Sequence, residues 1–375
     1  MVEGRIWRDF NFFLFGCVLA LLCLSLLSVY SATLNAVTAF GNPMHVLFPR
    51  HVVNIVVGLI GLTAMTMIDY RLLSSFALPL YVAVILTLSV VLVFGRIQEG
   101  AQSWFDLGVR TVQPSEFCKV AMIVVLASYW SRFEKLRHTW QVQLGGLVIG
   151  CLPVLLVLVQ PDFGTAVIFG AIWLSMAWCS GIRLSHLLML FLVAIPIIWV
   201  GWTYVLDDYQ KARLLTFYWL HYDPTKVDPN DGYNVTQSLI AIGSGGMFGA
   251  GLTHGLLSQG NYVPVQYSDF IFAVIGEEMG FAGGIILILF FFLLLFLTIS
   301  IARRARDLFG HLIAIGIFGM LFAHFAVNVG MTIGVFPVTG IPLPFVSYGG
   351  SFTFTSLLAV GLLQSIAMRW RRIVF

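Results

Sequence analysis

Stretches of about twenty consecutive apolar residues recur along this chain, and no other feature restricts its folding so tightly. A helix rising about 1.5 Å per residue needs about 20 residues to cross the roughly 30 Å hydrocarbon core of a bilayer. Lipid offers no partner to a backbone N–H or C=O, so segments this long and this apolar must satisfy themselves as helices. They lie near 12–32, 48–68, 72–94, 115–130, 143–159, 163–180, 184–205, 268–300, 310–336 and 348–368. We read an all-α polytopic membrane protein with about ten transmembrane helices, a single integral membrane domain over 1–375, and a long structured periplasmic (outer) loop, 206–267, between helices 7 and 8.

Composition agrees: 59% of the residues are hydrophobic and 10% charged, against about 45–50% and about 25% in soluble domains. A water-facing exterior cannot be covered with so few polar side chains. The five cysteines fall inside apolar runs with no CxxC pair, so neither a disulfide framework nor a zinc site is implied. The first apolar run, 12–29, follows Arg5, Arg8 and Asp9 and exceeds the roughly 7–15 residues of a cleavable signal core, so it reads as an uncleaved span. No internal repeat and no low-complexity tract is visible.

Charge sets the orientation. With a cytoplasmic N-terminus, 13 of the 20 basic residues fall at inner ends and loops, while seven face twelve of the 17 acids outside, as the positive-inside rule requires. An even span count then puts both termini in the cytoplasm. Arg369, Arg371 and Arg372 beside Trp370 read as an anchor on anionic lipid, not a nucleic-acid patch. The inner connections are short and basic. The outer ones, 94–114 and 206–267, exceed the length at which connections stay idle. The second is too apolar for disorder and should pack as short amphipathic helices.

Ionisable residues within spans are costly and mark function by default. Glu116 and Lys119 stand three apart beyond Pro114, which suits a first helical position. They are either a mutually neutralising pair that orients the helix, or a site where Lys119 meets an anionic ligand. Asp269 opens the eighth apolar run after Ser268. A carboxylate there can cap the helix, or, desolvated by the apolar stretch that follows, serve as a base, with the helix dipole opposing the change. Glu277 and Glu278 lie deeper, and one of them should accept loop or helix-end hydrogen bonds. The stretch Gly334–Ser351 has too many Gly and Pro residues for a continuous helix and must be re-entrant or line a cavity. Ser347 to Gly350 could present N–H groups to phosphate or sugar there. Gly243 to Gly246 reads as a tight turn.

Taken in order, the segments Gly100 to Phe105, Gln113 to Glu116 with Lys119, Gln160 to Thr165, Ile242 to Gly246, Ser268 to Ala273 with Glu277 and Glu278, and Asn328 through Ser351 resemble the SEDS (shape, elongation, division and sporulation) family. RodA and FtsW are its best-known members. The likeness spans nearly the whole chain and is closer to the RodA form. Phe352 departs from it, standing where the family has a small residue.

The resemblance implies a peptidoglycan glycosyltransferase of cell-wall elongation in the bacterial cytoplasmic membrane. Such an enzyme polymerises lipid II, moving a glycan from undecaprenyl pyrophosphate onto the 4-hydroxyl of an acceptor sugar with inversion at the anomeric carbon. Asp269 matches the family's catalytic residue, and Trp104, Glu116 and Lys119 match functional positions. The chemistry fits, since a sugar hydroxyl needs a base and a pyrophosphate leaving group needs cations. Outer cations are Arg50, Arg110, Lys119, Lys211 and Arg213. Trp104 either orders the acceptor or belongs to the interfacial aromatic belt. No dedicated metal cage is visible, though the pyrophosphate admits a divalent cation, Mg or Mn. The implied partners are a class B penicillin-binding protein and other elongation-complex proteins. A lipid II flippase is the alternative; the one-sided distribution of polar residues and the lack of an inverted repeat weigh against it. A scaffold that only recruits a transpeptidase is the third reading.

Overall fold

The computed structural model describes residues 9–35, 45–98, 101–106, 111–205 and 208–370. Among them, nine helices are long and apolar enough to cross a membrane, and the chain is a multi-pass membrane protein. They are α1 (Phe12–Leu34), α2 (Leu47–Met67), α4 (Ala77–Phe94), α6 (Trp140–Val159), α7 (Phe163–Ser180), α8 (Leu184–Val200, continued as a π-helical turn over Gly201–Val205), α13 (Gly280–Arg304), α14 (Leu308–Thr332) and α15 (Gly350–Met368). The four-residue α3 (Leu72–Ser75) precedes α4. A tenth long helix, α5 (Pro114–Arg132), has a lower hydropathy because it carries Ser115, Glu116 and Lys119, and those side chains are buried. Pro114 occupies its first turn, where a missing N–H costs nothing.

α14 and α15 are the most enclosed of these nine spans. α14 packs against α5, α7 and α13, and α15 against α2. α8 lies at the other extreme, with no part of its most apolar window buried. In hydrocarbon, apolar burial supplies little drive, so close packing and interhelical hydrogen bonds hold such a bundle. Thr66 Oγ1 donates to Leu62 O (2.8 Å) within α2 and lies 3.4 Å from Gly361 O of α15. Asn11 caps α1 by accepting from Leu14 N.

The sequence predicts one helix over 268–300; the chain instead forms α12 (Ile271–Glu278) and α13, broken at Gly280. Gly280 adopts φ +67°, and a Cβ there would stand 2.3 Å from Gly249 N. Four of the backbone groups freed by the break are met by the glycine-rich segment 246–251. Ala250 N and Gly251 N donate to Glu277 O and Glu278 O, while Phe281 N and Ala282 N donate to Gly246 O and Met247 O. What read as a tight turn near Gly243–Gly246 is therefore also the splint of a broken helix. Only the unbroken apolar run concealed this; Gly280 was the one signal.

The excursion before it holds α9 (Asp208–Tyr222), α10 (Pro229–Ser244) and α11 (Leu256–Gln259), the short helices expected there. Both deep acids serve it. Glu277 accepts from Leu257 N and Ser258 N at the start of α11, and Glu278 accepts from Ser31 Oγ, Ser258 Oγ and Gln259 Nε2. The connection after α4 is not plain loop. It forms a small antiparallel sheet, β1 (Arg96–Gln98), β2 (Ala101–Asp106) and β3 (Thr111–Val112), in which Arg96 pairs with Trp104 and Phe105 with Val112. β2 packs on α4 and α5, and β3 on α15.

Candidate functional site

The loop Ile333–Gly349 between α14 and α15 gathers the polar residues into one end of the bundle. Asp269 lies two residues ahead of α12, so the capping position falls to Phe270, and Ser268 donates its hydroxyl to Asp269 Oδ1 (2.9 Å) instead of capping. The backbone around Asp269 is clamped from two directions. Asn328 of α14 donates through Nδ2 to both Asp269 O (2.8 Å) and Ile341 O (2.7 Å). Ser347 Oγ donates to Ser268 O (2.6 Å), and Tyr348 N donates to Tyr267 O (2.9 Å). Asp269 as a whole is 8% exposed. A Cβ on Gly340, whose φ is +68°, would lie 3.3 Å from Asp269 Oδ2. Glycine is needed there both for the left-handed turn and for the loop to stand so close to the carboxylate.

Beneath this mouth lies a second polar group. Lys119 Nζ contacts Glu116 Oε1 (2.8 Å) and Oε2 (2.7 Å), and His324 Nε2 (2.9 Å). An ammonium has three N–H donors, so all three are engaged. Both partners are buried, Lys119 at 1% and Glu116 at 4% exposure. The pair is mutually neutralising, and Lys119 could meet a phosphate only by giving up a partner. His324 in turn reaches Pro342 O through Nδ1 (3.2 Å), and Phe352 lies against it with ring centroids 4.9 Å apart. The residue that departs from the family pattern thus fills the space over the imidazole, 5.5 Å from Lys119 Nζ.

The other expected residues are dispersed. Arg213 on α9 approaches the loop, its Nη1 3.4 Å from Val338 O, and Lys211 lies half-buried two residues earlier on the same helix. Arg50 is exposed in the first turn of α2, and Trp104 is half-buried in β2. Arg110 lies outside the described residues. Ser347 does not present itself to a ligand: its hydroxyl donates to Ser268 O and accepts from Leu343 N (2.8 Å), and its own N–H donates to Leu343 O. It is a brace for the loop. Tyr348 N is likewise taken.

Sequence reasoning missed His324 and the tasks of Asn328 and Asp162. A lone histidine in an apolar helix gives no signal beyond its cost. Asp162 caps α7 through Thr165 N (3.0 Å) and accepts from Gln113 Nε2 (3.2 Å), joining the starts of α5 and α7. Gln113 N donates to Ser351 Oγ at the start of α15. Among the described residues no group of three or more His, Cys, Asp or Glu could hold a metal ion.

The family model of the FtsW, RodA and SpoVE proteins, described as cell cycle protein, matches residues 12–372. The peptidoglycan glycosyltransferase MrdB of Escherichia coli K12 is 38% identical, over 92% of this chain and 92% of its own. The peptidoglycan glycosyltransferase RodA of Treponema pallidum is 33% identical, over 96% and 98%. A solved peptidoglycan synthase complex, described as coordinating polymerization and crosslinking, contains a chain similar at TM-score 0.80 and 29% identity, covering 96% of this chain and 97% of that one. The crystal structure of RodA from Thermus thermophilus is similar at TM-score 0.70 and 27% identity, with the same coverage.

Proposed function

This chain belongs to the FtsW, RodA and SpoVE cell cycle protein family, and from that premise we propose that Asp269 is the general base of its reaction. The chain is a peptidoglycan glycosyltransferase. In the proposed step the 4-hydroxyl of the acceptor sugar gives its proton to the Asp269 carboxylate as its oxygen bonds to the donor's anomeric carbon. The bond from that carbon to the pyrophosphate breaks, configuration inverts, and undecaprenyl pyrophosphate leaves with the electron pair. A positioned base contributes about 10²–10⁴-fold to such a step. The observation that carries the reading is the clamp around Asp269: a carboxylate at the bundle's polar end whose backbone is fixed by side-chain bonds, from Asn328 to its own carbonyl and from Ser347 to that of Ser268.

Charge on the departing pyrophosphate needs donors nearby, and Arg213 and Lys211 on α9, with Arg50 on α2, are proposed to supply them together with Arg110. Trp104 is proposed to line the acceptor side. Glu116 and Lys119 enter as a buried pair that supports the site; direct contact of Lys119 with phosphate requires exchange of a partner. No side-chain set among the described residues fits a protein-held Mg or Mn, so such a cation, if used, would arrive on the substrate's phosphates, and no step here passes through it.

Both termini are proposed to be cytoplasmic, in the bacterial inner membrane, with Asp269 opening outward. Arg71, Arg303, Arg304 and Arg369 at the end opposite Asp269 support that orientation. The relative found in a synthase complex supports a class B penicillin-binding protein as partner, alongside other elongation proteins.

The test uses full-length protein with its cognate penicillin-binding protein, given lipid II in detergent, where flipping has no meaning, and scored for moenomycin-insensitive glycan strands. Strands are expected from the parent complex and a loss of about 10²–10⁴-fold from Asp269→Asn. Undiminished polymer from that variant overturns the base; no polymer from the parent returns the flippase and scaffold readings.

A further inference from the structure

The mechanism above gives His324 no task, yet its surroundings are specific. α14 carries His324 and Asn328 four residues apart, hence on one face. The two side chains grip adjacent carbonyls of the loop: Asn328 Nδ2 donates to Ile341 O at 2.7 Å, and His324 Nδ1 meets Pro342 O at 3.2 Å. On its other nitrogen, His324 Nε2 meets Lys119 Nζ at 2.9 Å. A lysine ammonium only donates and a carbonyl only accepts. Both contacts together therefore fix the tautomer: Nδ1–H donates to Pro342, and bare Nε2 accepts from Lys119. The imidazole is neutral while they hold. Phe352 covers the ring, and the group is 1% exposed, so water does not compete.

We propose that His324 is a positioning residue for Asp269. It carries the fixed place of the Glu116–Lys119 pair across to residues 340–342 and so sets how closely Gly340 stands against the Asp269 carboxyl. It touches no reacting atom and acts through the loop. The inference deepens the reading of Asp269 as the base and rests on it. Small displacements suffice, since misplacing a catalytic group by about 1 Å costs about 10²-fold in rate.

Replacement can separate position from bulk. Glutamine offers one acceptor and one donor and can keep both contacts; leucine fills the space and keeps neither; asparagine is too short to span both. With lipid II and the intact complex, His324→Leu is expected to lower kcat about tenfold or more while KM stays within about twofold. His324→Gln should recover most of that kcat, and His324→Asn should fall between. Parental kcat in His324→Leu, equal losses in the leucine and glutamine variants, or a loss carried wholly by KM overturns the proposal. Where the leucine variant does not fold, the asparagine and glutamine variants decide, and equal kcat in those two overturns it. Asp269→Asn in the same assay keeps the two readings apart. Polymer from that variant removes the base itself, whereas a dead Asp269→Asn beside a fully active His324→Leu removes only the positioning.

Discussion

The two ends of this bundle use the same residue types in opposite ways. At the Asp269 end, the ion pair between Lys119 and Glu116 is sealed, with side chains 2% and 5% exposed, and hydrogen bonds from His324, Asn328 and Ser347 run to backbone carbonyls. At the far end, Arg71 pairs with Asp307 across 3.3 Å with both side chains 36% exposed. Tyr70 donates to the same carboxylate, and Arg369 spans from Asp69 to Met67 O. Water and salt screen the far pair, so it fastens helix ends at little gain or cost. The sealed pair was stripped of water to form, and each charge now depends on the other. One end is a fastening; the other is a preset geometry.

Substitutions can break or sharpen that contrast. Lys119→Met leaves Glu116 buried and uncompensated and is expected to cost about 3–5 kcal/mol, while Lys119→Met with Glu116→Gln together should regain much of it. Reversible unfolding of the detergent-solubilised protein measures both; a double variant no better than the single one would mean the pair is not self-contained. Gly280→Ala forces a side chain onto a left-handed residue against Gly249 N and should cost about 1–3 kcal/mol, seen as a lower melting temperature and faster proteolysis of 246–251.

The far end supplies the pH test. Burial pushes the Tyr70 hydroxyl up from 10.0 to about 12, with Asp307 adding to the rise and the hydrogen bond from Arg71 opposing it. A group with a raised folded-state pKa contributes stability that is whole below its unfolded value and lost as pH climbs to the folded one. Melting temperature should therefore fall between pH 10.0 and about 12, and Tyr70→Phe should flatten that part of the curve. The smallest effect is expected from Asp307→Asn. The amide can still accept from Gly310 N and cap α14 while the ion pair is lost, so the change should stay within about 1 kcal/mol and vanish in high salt.

Hydropathy made the long helices legible, because lipid demands a long apolar run wherever the chain crosses it. It also hid what was not uniform. The apolar run over 268–300 conceals a break that only Gly280 betrays, since its partners in 246–251 lie two helices away in sequence. The sheet at 96–112 has strands too short to show alternation. Asp269 and the Glu116–Lys119 pair stood out because charge is rare in such helices. Their third member did not: a neutral histidine resembles any core residue until the lysine and carbonyl on either side of it are seen. Ser347 misled for the reverse reason, as its motif suggested open N–H groups that tertiary contacts had already used.

Asn11 and Gln364 face each other through their amides, Asn11 N donating to Gln364 Oε1 (3.0 Å) and Gln364 Nε2 donating to Asn11 O (2.8 Å), across 353 positions of sequence. Synthesis runs at about 5–20 residues per second, so α1 leaves the ribosome well before the residue that latches its head, 353 positions later, has been made. For α1, emergence and final seating are therefore far apart in time, and its head stays unlatched until α15 has followed.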